Sequence, residues 1–152
     1  MPRLIAALLA LFSVAPVAAD TDNPLAEHRW NDRVLLLYVP AADAPALAAY
    51  RAELAAQQCG IADRDLLTGE VIGEHTAALG DARLSPERAR SLRAHHGVPR
   101  DRVATILVGK DGGVKLNLDG VAALSQVFQR IDGMPMRKRE MAEGDGPRCD
   151  SH

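Results

Sequence analysis

The sequence predicts an α/β fold, a mixed central sheet with helices on both faces, built in the order β-α-β-α-β-β-α. Three observations predict it. RVLLLYVP, Arg33 to Pro40, is an unbroken apolar run closed by proline, as suits a strand buried on both faces. VATILVG, Val103 to Gly109, leads through the tight-turn residues Asp111 to Gly113 into VKLNL, Val114 to Leu118, which alternates apolar with polar, a β-hairpin pattern. The segments between and after these runs place apolar residues at helical spacing.

The elements follow in order. After the first strand, Asp43 is expected to cap a helix with Pro45 in its first turn, on which Leu47, Tyr50, Leu54 and Gln58 recur, with Gly60 as its stop. RDLLTGEVIG, Arg64 to Gly73, reads as the second strand through Leu66, Leu67, Val71 and Ile72, and the polar stretch Glu74 to Arg83 as a surface loop. Ser85, Pro86 and Glu87 open the next helix with a capping hydroxyl, a proline and an acid at the positive dipole end. Gly97 and Pro99 close it after His95 and His96. Beyond the hairpin, Asp119 is expected to cap a final helix in which Leu124, Val127, Phe128 and Ile131 share one face, ended by Gly133 and Pro135. That order of elements is the thioredoxin order.

The termini bear on location. A basic Arg3, an apolar run from Leu4 to Val14 and small residues up to Ala19 make residues 1–19 an expected cleavable secretory signal. The run is too short for a permanent anchor, which needs about 20 apolar residues. A periplasmic or secreted product is expected, with residues 20–136 as the thioredoxin-like domain and 137–152 as a flexible charged tail. Losing Arg3 with the signal shifts the formal charge of −2 to −3. With Trp30, Tyr38, Tyr50 and Phe128 as the aromatics that follow, nucleic acid is not an expected partner. Nothing after the signal has the length and apolarity of a membrane span.

In redox enzymes of thioredoxin order the reactive cysteine heads the first helix, where the dipole favours the thiolate. The matching stretch, Pro40 to Leu47, contains no cysteine, serine, threonine or histidine. The third strand is entered through Arg102 and Val103, not through the cis-proline such enzymes place there. No catalytic residue is therefore assigned. Cys59 lies near the far end of the expected first helix and reads as a buried or disulfide-bonded cysteine. Cys149 reads as a tail thiol or as the other half of a bridge. A Cys59–Cys149 bridge would close a loop of about 90 residues, worth up to ~4–5 kcal/mol in the chain-entropy model. The histidines at 28, 75, 95, 96 and 152 have no metal-ligand spacing, so neither metal nor cofactor is expected. GKDGG, Gly109 to Gly113, lacks phosphate-loop spacing and reads as a hairpin turn. Trp30 is expected to pack over the sheet edge.

NPLAEHRWNDRVLLLY (Asn23 to Tyr38), HGVPRDRVATILVGKDGGVKL (His96 to Leu116) and IDGMPMRKREM (Ile131 to Met141) resemble a bacterial exported family catalogued as a domain of unknown function, also called the P-DUDES family. Related domains occur in vertebrate secreted sushi-repeat and coiled-coil-domain matrix proteins. The resemblance implies a thioredoxin- or peroxiredoxin-like fold with no established activity, and it transfers no catalytic residue. The expected function is an inactive thioredoxin-like domain that binds a protein or small ligand in the bacterial envelope. Its expected recognition surface is the turn carrying Pro40, Asp43 and Pro45, since such folds bind at the carboxyl ends of their strands. The alternative is a thiol-based peroxidase or oxidoreductase using Cys59 or Cys149.

Overall fold

The computed structural model describes residues 23–144. The expected signal, Cys149 and His152 lie outside the described residues. A short 3-10 turn, Ala26–His28, precedes β1 (Arg33–Val39), α1 (Pro45–Ala56), α2 (Gln58–Asp63) and β2 (Leu66–Ile72). Then come β3 (Thr76–Leu79), β4 (Ala82–Leu84), α3 (Pro86–His96), β5 (Ala104–Val108), β6 (Val114–Asp119), α4 (Leu124–Asp132) and α5 (Pro135–Ala142). Six strands form one mixed sheet in the order β4-β3-β2-β1-β5-β6. Strand β1 pairs parallel with β2 and antiparallel with β5, and every other pair is antiparallel.

The apolar run at β1 is explained by the two cores it divides. Side chains alternate across a strand. Val34, Leu36 and Tyr38 face one core with Ala89 and Leu92 of α3, while Leu35, Leu37 and Val39 face the other with Leu47 and Tyr50 of α1 and Leu124, Val127 and Ile131 of α4. All seven residues of β1 are buried. The Tyr50 hydroxyl is held 3.2 Å from the carbonyls of both Leu35 and Gly69, across the parallel pair. No helix among the described residues is long and apolar enough to cross a membrane.

Helix α3 starts and ends on the residues that predict it. The Arg88 amide donates to the Ser85 hydroxyl at 3.2 Å, and Gly97 takes the left-handed C-cap at φ 63°. Elsewhere the structure departs from the local signals. Glu74 to Arg83, expected as a loop, carries the β3–β4 hairpin, turned by Gly80 at φ 55° and anchored by buried Ala77 and Leu79. Asp43 caps nothing, as α1 is preceded by Ala44. Asp119 ends β6, and the first amide of α4, Leu124, donates instead to Glu53 of α1 at 2.8 Å. Gly60 lies inside α2, where a Cβ would sit 2.7 Å from the Phe128 ring, so close approach and not helix termination requires glycine there.

Gly69 presents the same requirement in the sheet. A Cβ on it would lie 2.7 Å from the Ala78 carbonyl and 2.9 Å from the side chains of Leu36 and Leu79. Backbone cannot yield as a flexible side chain does, so Gly69→Ala is expected to destabilise by about 1–3 kcal/mol, read as a lower urea midpoint.

The largest departure is at the C-terminal side. Residues from Arg137, expected as tail, form α5, and Arg137 is 3% exposed. Its Nη2 lies 2.5 Å from Asp63 Oδ2 and its Nη1 donates to the Asp63 carbonyl at 2.9 Å. Glu140 accepts from Arg33 at both carboxylate oxygens, 3.1 Å each, and from Lys110 at 3.0 Å. Lys110 also reaches Asp65 at 2.8 Å, and Arg64 makes a two-point contact with Asp132. This network pins α5 to the end of the sheet where β1 begins.

Candidate functional site

The pinned helix forms one wall of a cleft of about 460 Å³, a size within the roughly 300–1,000 Å³ of small-ligand sites. Helix α4 buries Leu124, Val127 and Ile131 against the sheet, which turns Gln129 and Arg130 toward the cleft. Gly133 and Met134 carry the chain round to Pro135, the first residue of α5, so that Met134, Pro135 and Met136 line an apolar stretch of the wall with Arg139 beyond it. The opposite wall is the β5–β6 turn, with Lys110, Asp111 and Lys115, and Arg33 lies behind.

The turn owes its shape to short polar contacts. Asp111 accepts from the Gly113 amide at 3.0 Å and from Lys115 Nζ at 2.6 Å, which together hold its carboxyl below the usual range. Gly109 lets that pair close over it, since a Cβ there would meet Lys115 at 2.6 Å. GKDGG is thus a hairpin turn, as expected from its spacing, and it contributes side chains to a cationic cleft. Burial pushes the Glu140 carboxyl up, but the hydrogen bonds and charges of Arg33 and Lys110 outweigh it and leave the carboxyl below its ordinary value.

Five cationic side chains line the cleft against one carboxylate, Asp111. Three are already engaged: Arg33 and Lys110 by Glu140, and Lys115 by Asp111. Of the Arg130 guanidinium only Nε is engaged, donating to the Lys115 carbonyl at 3.0 Å, and the Arg139 guanidinium has no hydrogen bond or ion pair among the described residues. The cleft therefore offers open guanidinium donors beside apolar surface, an arrangement that binds carboxylate or phosphate.

The residues singled out in the sequence lie elsewhere. Pro40, Asp43 and Pro45 are exposed on the connection from β1 to α1, at the opposite end of a seven-residue strand from Arg33, roughly 20 Å away at 3.3 Å per residue. Cys59 is an exposed residue in the first turn of α2, not at the far end of α1, and it is disulfide-bonded. Its expected partner, Cys149, lies outside the described residues. Trp30 does not pack over the sheet edge. It is 63% exposed at φ 69°, its amide donating to the Lys110 carbonyl at 2.6 Å. Among the described residues no group of three or more histidines, cysteines and acids converges as a metal site.

A second polar cluster closes the end of the sheet where β1 and β2 stop. Arg93, 6% exposed, donates to the carbonyls of Gly73, Pro99 and Val39 and lies 5.3 Å over the Tyr38 ring. The Tyr38 hydroxyl donates to the Leu92 carbonyl at 3.2 Å and lies 2.6 Å from Nδ1 of His96. Burial, and then the neighbouring His95, push the His96 pKa down to about 4. The unfolded chain therefore binds this proton more readily. Stability present above about pH 6.5 is lost as pH falls toward 4, by roughly 2–3 kcal/mol. His96→Gln, which keeps a polar hydrogen-bonding partner beside Tyr38, is expected to flatten that part of the stability–pH profile measured by denaturant midpoints.

No curated protein and no solved structure matches the chain. One family does, over residues 24–140, from the segment before β1 to the Glu140 that ties α5 to Arg33 and Lys110. The chain belongs to DUF4174, a domain of unknown function.

Proposed function

We propose that this protein is an exported, thioredoxin-like domain without a redox site, which binds a ligand in the bacterial envelope through the cleft between the β5–β6 turn and α4–α5. The observation that carries the reading is the cleft itself, a solvent-open concave volume with apolar surface and open cationic donors. The exposed turn at Pro40, Asp43 and Pro45 suits a protein partner by its exposure, whereas a concave volume of about 460 Å³ suits a small ligand.

The thioredoxin-like assignment, and with it the P-DUDES relation, is supported by the run β2-β1-β5-β6, in which β1 lies parallel to β2 and antiparallel to β5. On that scaffold the head of α1 would present the reactive sulfur, and here it presents Ala44, Pro45 and Ala46. The proposed Cys59–Cys149 bridge fits an oxidising compartment, in keeping with a signal at residues 1–19. The rival is a thiol-based peroxidase or oxidoreductase working from Cys59 or Cys149. Peroxide consumption and insulin-disulfide reduction by the oxidised and the pre-reduced protein separate the two. No turnover above buffer is expected. Turnover that Cys59→Ser abolishes would overturn the reading in favour of the rival.

A further inference from the structure

We infer that the cleft takes a small amphipathic organic anion, its carboxylate or phosphate head held by Arg130 and Arg139 and its apolar body laid against Met134 and Met136. The inference rests on the ligand-binding reading above and adds the chemical class.

The charge argument comes first. With Arg33, Lys110 and Lys115 occupied by Glu140 and Asp111, the donors left for a ligand are the two Nη groups of Arg130 and the whole guanidinium of Arg139. Two arginines on one cleft with no carboxylate partner among the described residues repel a cationic ligand and favour a group that accepts in a planar, two-point manner. Helix α5 adds to this, since it runs eight residues from the cleft wall with no side chain capping its N-terminus.

The apolar argument sets the rest of the ligand. A single phosphate ion would leave most of about 460 Å³ unfilled, and the surface it left bare includes two methionines, whose unbranched thioether chains adapt to an alkyl or aryl body. The exposed large hydrophobics among the described residues belong to the same end of the molecule. Trp30 is bonded to Lys110, Val114 starts β6, and Met141 follows Glu140. An amphipath with an acidic head satisfies both features together.

Methionine-methyl NMR on the protein labelled with 13C at those methyls tests this directly. The probes are octyl phosphate and octanoate below their micellar concentrations, octyl glucoside, octylammonium and inorganic phosphate. Octyl phosphate and octanoate are expected to shift the Met134 and Met136 methyls saturably. Arg130→Gln and Arg139→Gln, both at exposed positions, should each weaken binding about tenfold, as loss of a charge-assisted contact does. Lys138→Gln, an exposed cation that does not line the cleft, should leave affinity unchanged. If octyl glucoside or octylammonium shifts the same methyls as strongly, the anionic class is overturned while the ligand-binding reading stands. Inorganic phosphate binding as tightly as octyl phosphate would overturn the apolar half. If no probe moves either methyl, both the class and the cleft reading fail.

Discussion

Arg137→Ala is expected to destabilise the protein by about 3 kcal/mol or more, the range for breaking one side of a buried ion pair. Arg137 is 3% and Asp63 7% exposed, so truncation strands a carboxylate where water reaches poorly. Arg64 approaches Asp63 at 3.6 Å and offsets part of the loss, which places the expectation toward the lower end of the range. The double variant Asp63→Leu/Arg137→Met, which removes both charges, should lose less than Arg137→Ala alone. A half-exposed cation gives the contrast. Arg51 pairs with Glu70 on the surface, and Arg51→Ala should cost under about 1 kcal/mol. Urea midpoints with unchanged m-values read all three. Equal losses for Arg137→Ala and Arg51→Ala would mean that α5 is not pinned as described.

Reduction of the proposed Cys59–Cys149 bridge is expected to have the other large effect. Cys59 is disulfide-bonded, and the chain has two cysteines. A closed loop of about 90 residues restricts the unfolded chain by up to ~4–5 kcal/mol in the chain-entropy model, a ceiling that native strain lowers. Because α5 precedes Cys149 by few residues, the bridge would also limit fraying of the helix that walls the cleft. Cys59→Ser and reductant should lower the urea midpoint by the same amount, and the two should not add. Two free thiols per chain in unreduced protein would contradict the bridge.

The fold was legible wherever the cause is local. The burial of Val34 to Val39 in β1 follows from an apolar run of six residues, and α3 is bounded by Ser85 and Gly97, whose chemistry acts within four residues. What the sequence hid depends on distant partners. Thr76 to Leu79 carries little β signal, and it is a strand because Gly69 to Ile72 pairs with it and α3 covers it. Arg137 and Glu140 read as solvated tail because their partners Asp63 and Arg33 lie 74 and 107 residues away. Likewise Asp119 looked like a cap for α4 because Glu53, which does the capping, comes from another helix.

The candidate site was hidden for the same reason. Arg33, the β5–β6 turn and the α4–α5 corner are separate stretches of chain, and it is the pairing of β1 with β5 and of β5 with β6, the packing of α4 on the sheet and the ion pairs of Glu140 that bring them round one cleft. The emptied head of α1 was legible, since it needs only the absence of reactive side chains between Pro40 and Leu47.

Amide hydrogen exchange with and without octyl phosphate tests which end of the sheet binds. The account predicts slowed exchange at residues 109–115 and 129–139, with Pro40 to Leu47 unchanged. Protection confined to Pro40 to Leu47, or none anywhere, would contradict it.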